Sequence, residues 1–268
     1  MKHFLKKSLG QNFLRDEKIL QKIADFAQIE KNDTVIEVGP GEGTLTKILL
    51  EKAKKVIAIE KDVELVEKLK EKFKLKIENF KLEIICNDIL EIENLFDLPI
   101  NKKGYILVGN IPYYITGAIF KKFLENPPMD KQPNSITFVV QKEVAERILA
   151  RDGKESILSI SVKVYGEPKF GGIIKAGSFY PKPKVDSAII SIENISKEKF
   201  KEIDPQFFFE ILKMGFAHKR KFLLRNLSRR VLDTLELKKI FEKCGIAEMA
   251  RAEDLKVEDW LNLVENLN

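Results

Sequence analysis

Two histidines, two cysteines and one tryptophan are all that the 268 residues hold of these types. His3 and His218 stand far apart, and so do Cys86 and Cys244. No Cys/His set therefore has zinc spacing, no metal is expected, and no disulfide framework is expected. Cys86 lies in the apolar run LEIIC and reads as a core residue, since free cysteine is among the most buried residue types. No apolar run approaches the roughly 18 residues that a membrane span needs. Residues 1–7 are basic but lead into Ser8, Gly10, Gln11 and Asn12 without an apolar stretch, so a cytoplasmic location is expected. The chain has no GxxxxGK[ST] loop for a triphosphate, no internal repeat and no low-complexity tract.

What is present is ordinary for a globular protein: 44% hydrophobic and 33% charged residues. A net charge of +6 leans modestly toward polyanions.

The order of patterns sets the fold class. Residues 17–27 have helical spacing, with Ile19, Ile23 and Ala27 four apart behind Asp16 as an N-cap. TVIEV (34–38) is a short strand running into Gly39-Pro40-Gly41. Residues 44–53 and 62–73 are helical, and KVIAI (55–59), LEIIC (82–86), YILV (105–108) and ITFVV (136–140) are strands. Alternation of this kind predicts an α/β, Rossmann-like fold with a parallel sheet buried on both faces. Residues 156–165 alternate like a strand, though their length also allows a buried helix. Residues 173–174 and 185–192 read as further strands around a Pro-rich segment. The charged run before Pro205 marks a boundary, giving a domain over 1–195 and a small all-helical domain over 196–268.

In such sheets ligands sit at the carboxyl ends of the strands. The first strand ends in EVGPGEG (37–43), whose glycines let the backbone approach a ligand. The loop lacks the full GxGxxG of dinucleotide enzymes. Glu60 closes the second strand, where a carboxylate can accept from ribose hydroxyls. Asp88 follows the third and is placed for an adenine amine. Taken singly, Glu60 is equally a solvated surface acid and Asp88 a helix N-cap. Three features at three successive strand ends favour a nucleoside without phosphates, and S-adenosylmethionine is the expected cofactor.

GNIPYY (109–114) follows the fourth strand. The amine of adenine is a poor nucleophile, and acceptors holding its N–H groups stabilise the charge that develops on attack. The Asn110 amide oxygen and the Ile111 carbonyl are the candidates, with Tyr113 stacking on the base. Outside this context the stretch reads as a structural turn fixed by Pro112.

Here the chain resembles the ribosomal RNA small-subunit adenine dimethyltransferases. The matching stretches are KSLGQNFL (7–14), EVGPG (37–41), GNIPY (109–113), VQKEVA (140–145), FYPKPKVDS (179–187) and KRK through RNL (219–227). The resemblance implies a Rossmann-like class I methyltransferase domain with a small C-terminal helical domain. It implies a cofactor site lined by Asn12, Leu14, Gly39, Glu60, Asp88 and Asn110. Tyr113 would stack on the target adenine and Phe179 cover its other face, and residues 156–165 would be helical. The implied reaction is N6,N6-dimethylation of two adjacent adenines near the 3′ end of 16S ribosomal RNA, with a part in small-subunit maturation. Many relatives carry Asn where this chain has Tyr114, with no expected effect on the chemistry.

Lys219, Arg220, Lys221, Arg225 and Arg229 crowd a short stretch. As one helix, Lys221, Arg225 and Arg229 form a stripe opposite Leu223, Leu227 and Val231, so one face packs while the other meets phosphate. An ordinary solvated basic face reads the same. The expected partner is the small ribosomal subunit, met by a monomer. Competing readings are a large-subunit, antibiotic-resistance type methyltransferase, a DNA adenine methyltransferase and a non-catalytic assembly factor. VQKEVA and the basic C-terminal stretch favour the small-subunit enzyme, and no separate DNA-recognition domain is apparent.

Overall fold

The structure, a computed structural model, describes residues 11–92, 104–127, 131–228 and 233–267. Residues 7–10 of the first family stretch, with Arg229 and Val231 of the basic stripe, lie outside them.

In chain order the elements up to the first four parallel strands are β1 (Phe13–Leu14), α1 (Glu17–Phe26), β2 (Thr34–Val38), α2 (Thr44–Lys52), β3 (Lys55–Glu60), α3 (Val63–Lys72), α4 (Lys74–Glu78), β4 (Leu82–Cys86) and β5 (Ile106–Asn110). There follow α5 (Thr116–Phe120), β6 (Ser135–Gln141), α6 (Lys142–Leu149), α7 (Ile157–Lys163), β7 (Glu167–Ile174), β8 (Phe179–Tyr180) and β9 (Ser187–Glu193). The chain ends in α8 (Pro205–Gly215), α9 (Leu223–Leu227), α10 (Thr234–Lys243) and α11 (Val257–Glu265). The expected α/β, Rossmann-like class holds.

Seven strands form one sheet in the order β4-β3-β2-β5-β6-β9-β7. The first five run parallel, and β9 lies antiparallel to both β6 and β7. β2 is buried along its whole length, which is why TVIEV is almost continuously apolar. α1 starts where Asp16 accepts from Lys18 N at 3.0 Å and Ile19 N at 3.3 Å, and it buries Leu20, Ile23 and Ala24. These side chains join Leu49, Val56 and Ile189 in the core.

Strand order reverses between β2 and β5, and register places Val38 beside Gly109 there. Gly109 is required at this crevice, because a Cβ on it would meet the Val38 carbonyl oxygen at 2.6 Å.

The residues group into two compact units: 1–145 with 167–195, and 146–166 with 196–268. The second unit is helical around Tyr165, Phe200, Phe208 and Phe209, with Phe216 stacked on Trp260 at 5.7 Å. Residues 157–163 form the helix α7, as the resemblance implied and against their alternation. Ser156 Oγ accepts from Ser159 N at 3.1 Å and Ser159 Oγ from Ser156 N at 2.6 Å, a capping box that starts the helix. Ser159, Ile160 and Val162 are buried in it, and the capping box, rather than the two-residue rhythm, marks the element as a helix.

Two expectations are corrected. Cys86 is exposed, because β4 is an edge strand that opens to solvent at its carboxyl end. The basic stripe is not one helix: Lys221 lies in a turn, its N–H bonded to the His218 carbonyl at 2.9 Å, and α9 begins only after Phe222. Leu223 and Leu227 are buried as expected, and Lys219, Arg220, Lys221 and Arg225 are exposed.

Candidate active site at the carboxyl ends of the strands

The carboxyl ends of β2, β3, β4 and β5 open into one cleft of about 1050 Å³, its mouth included. Asn12, Leu14, Gly39, Glu60, Asp88, Asn110, Ile111 and Tyr113 all line it. Eight of the side chains or loops singled out from the sequence are thus brought together by strand register and turn geometry. Phe179 is not among the lining residues: it is 4% exposed and packs in the core, where β8 pairs with β1 through Leu14.

The glycine-rich turn is held from both sides. Gly41 N donates to Glu60 Oε2 at 3.1 Å, and Gly43 N to the Pro40 carbonyl at 2.9 Å. Gly41 has φ +57°, and a Cβ there would lie 2.8 Å from the Phe13 ring, so only glycine fits there without displacing the loop or that ring.

Glu60 is 7% exposed, which removes the reading as a solvated acid. Burial pushes its carboxyl above the usual range, opposed by hydrogen bonds from the Asp62 and Gly41 amides. Each oxygen accepts one such bond, from Asp62 N at 2.9 Å and Gly41 N at 3.1 Å, and keeps further lone-pair capacity. Asp88 Oδ1 accepts from Leu90 N at 2.9 Å, a cap-like bond, and Oδ2 pairs with Lys61 Nζ at 2.7 Å. Burial raises the Asp88 carboxyl, and Lys61 with the Leu90 amide outweighs it, so the net shift is downward.

Sequence reasoning assigned no role to Glu37. It lines the floor of the cleft, is 1% exposed, and its Oε2 has no hydrogen-bond partner. Burial lifts its carboxyl to about 8, the Thr46 hydroxyl opposing and the Glu60 charge adding. An acid inside a strand buried on both faces is the signal that marks it.

Gln11 and Arg15, to which sequence reasoning assigned no role, flank Asn12 and Leu14 in a strap, residues 11–15, across the glycine-rich loop. Gln11 Nε2 donates to Asp62 Oδ2 at 3.1 Å, and Thr44 Oγ1 to the Leu14 carbonyl at 3.0 Å. Arg15 holds Glu42 through two bonds, 2.9 Å and 2.7 Å, with its guanidinium 5.2 Å over the Tyr180 ring. Asn110 Nδ2 donates to the Asn12 carbonyl at 2.8 Å. That bond fixes the amide, leaving Oδ1 as an acceptor. Tyr113 is tethered by its hydroxyl to Ser187 Oγ at 2.7 Å, and burial raises its phenol, the Ser187 bond opposing.

The residues fit S-adenosylmethionine. The Gly39 Cα faces open space, with nothing within 4 Å of where a Cβ would stand, so the loop leaves room for a ligand. Acids at three successive strands, Glu37 and Glu60 buried and Asp88 partly exposed, suit hydroxyls, an amine and a cationic group, and nothing in the loop is built for phosphate. Among the described residues no group of three or more His, Cys, Asp or Glu is placed to hold a metal ion. No described helix is long and apolar enough to cross a membrane.

The family model described as ribosomal RNA adenine dimethylase matches residues 2–268. A protein of Dehalococcoides mccartyi (strain CBDB1) named ribosomal RNA small subunit methyltransferase A is 41% identical over 266 residues, covering 96% of this chain and 87% of its own length. One of the same name in Fusobacterium nucleatum subsp. nucleatum is 38% identical over 263 residues, covering 97% of this chain and 96% of its own. Among solved structures, a dimethyladenosine transferase from Plasmodium falciparum is similar with a TM-score of 0.77 and 28% identity, covering 94% of this chain and 95% of that one. The 23S rRNA methyltransferase ErmE gives 0.74 and 28%, covering 96% and 99%. A cleft of this make-up within a match that runs almost end to end has one reading: the chain belongs to the ribosomal RNA adenine dimethylase family.

Proposed function

We propose that the protein is an S-adenosylmethionine-dependent methyltransferase that dimethylates N6 of two adjacent adenines near the 3′ end of 16S ribosomal RNA. The observation that carries this is the cleft itself: Glu60, Asp88 and Asn110 end three parallel strands and meet around one glycine-rich loop. The small-subunit branch is favoured by the proteins named for that subunit, 38–41% identical over most of the chain.

The cofactor supplies the methyl group on an already activated sulfonium, so no Lewis acid is required. Asn12, Leu14, Gly39, Glu60, Asp88 and Asn110 would hold it, Glu60 at the ribose and Asp88 at the adenine amine. Asn110 Oδ1 and the Ile111 carbonyl accept the N–H groups of the target amine and stabilise the charge that develops on nitrogen. Tyr113 stacks on the target base, which must leave its own stack to reach the cleft. The proton leaves N6 after attack, so no strong general base is needed. Phe179 covers the second face only if β8 parts from the core. Lys219, Arg220, Lys221 and Arg225, with Arg229, meet RNA phosphates and position the substrate without reading its sequence. The protein acts as a cytoplasmic monomer on the small subunit, with a part in its maturation.

Asn110→Ala tests the catalytic reading against a pure assembly factor. Small-subunit binding is expected to persist while transfer falls by about 10²–10³. Undiminished transfer would overturn the assignment of Asn110.

A further inference from the structure

The turn after β5 sorts three consecutive side chains into three directions. Residues Tyr113–Ile115 form a 3₁₀ turn, in which successive side chains point about 120° apart. Ile115 N bonds the Pro112 carbonyl at 3.2 Å, and Thr116 Oγ1 bonds the Tyr113 carbonyl at 2.9 Å, so the turn is held at both ends. Ile115 goes into the core, and Tyr113 is tied to Ser187. Tyr114 is what remains, and it is 67% exposed while still lining the cleft with Asn110. Among the described residues its ring has no aromatic or cationic stacking partner. Tyr180 differs, because its exposed ring lies under Arg15. Lys61 lines the same cleft, paired there with Asp88 Oδ2 at 2.7 Å.

A base drawn out of its stack leaves the face of its neighbour bare, and that loss is part of the cost of extrusion. An unoccupied aromatic face fixed at the mouth, next to the aromatic that receives the target, is placed to restore it. We propose that Tyr114 stacks on the nucleotide adjoining the target adenine and so sets how well the enzyme engages its RNA. This rests on the reading of Tyr113 and Asn110 given above. It also makes Tyr114 a contact to substrate, where the sequence suggested only a neutral variation on Asn.

The test is steady-state methylation of unmethylated small subunits by the full chain, with S-adenosylmethionine affinity measured separately by calorimetry. Tyr114→Ala should raise KM for the subunits about tenfold, as loss of one stacked base predicts, with kcat within about twofold of the parent. Tyr114→Phe should restore KM, because the ring and not the hydroxyl makes the contact. Unchanged cofactor affinity in both variants shows that the cleft is intact. An unchanged KM in Tyr114→Ala, a Phe variant as impaired as the Ala variant, or a fall confined to kcat would each overturn the proposal. Failure of the parent protein to methylate any small subunit would instead overturn the reading on which it rests.

Discussion

The amide nitrogen of Asn110 is bonded to the main-chain carbonyl of Asn12 at 2.8 Å, so the strap that walls the cofactor cleft also orients the group assigned to the target amine. Asn110→Asp keeps the shape and replaces that donor by an acceptor. Two oxygens would then face each other, and the side chain would have to turn or the strap to lift. We expect transfer to fall by at least about 10² and cofactor affinity to fall with it. Single-turnover transfer and calorimetry check the two parts.

Arg15 and Glu42 close the strap from outside, and both are solvent-accessible. Exposed pairs contribute at most about 1 kcal/mol, so Arg15→Ala should weaken S-adenosylmethionine binding by no more than about fivefold. The loss should shrink in high salt, and the exchanged pair Arg15→Glu with Glu42→Arg should recover part of it. Calorimetric titrations at low and high ionic strength measure all three.

Glu37 makes stability depend on pH in a stated direction. Its folded carboxyl keeps its proton up to about 8, whereas the unfolded chain releases it near the ordinary glutamate value of 4.5. Between those values the folded state binds more protons than the unfolded one, so stability falls as pH rises. The cofactor-free protein should melt lower at pH 8 than at pH 5, and Glu37→Gln should flatten that slope. Thermal melts across that range compare the two. Glu60, also shifted upward by burial, acts in the same direction and remains in the Gln variant.

Lys219, Arg220 and Lys221 stand exposed in the turn ahead of α9. If they neutralise phosphates, replacing all three by Ala should weaken small-subunit binding at every salt concentration. It should also flatten the dependence of log K on log salt by up to about two to three units. Binding titrations at several salt concentrations give the slope, and an unchanged slope would remove these residues from the RNA contact.

The sheet and most of the cleft were legible because they follow local rules. Short apolar runs ending in glycine or an acid mark strands and their carboxyl ends, and Gly39, Glu60, Asp88 and Asn110 each follow one. What was not legible depends on partners distant in the chain. β1 is two residues long and has no periodicity, yet its pairing of Leu14 with Phe179 makes the strap and buries the phenyl ring expected in the cleft. Cys86 reads as core because an edge strand and a central strand look alike locally. The basic stripe lost its helix at Lys221 because a turn residue and a helical one share the same charge pattern.

The most direct measurement is the nucleoside made by the purified protein with labelled S-adenosylmethionine and, in separate reactions, unmethylated small subunits, large subunits and duplex DNA. After nuclease digestion, mass spectrometry should find N6,N6-dimethyladenosine with small subunits alone. The same nucleoside arising only with large subunits, or no methylated adenosine with any substrate, would contradict the account.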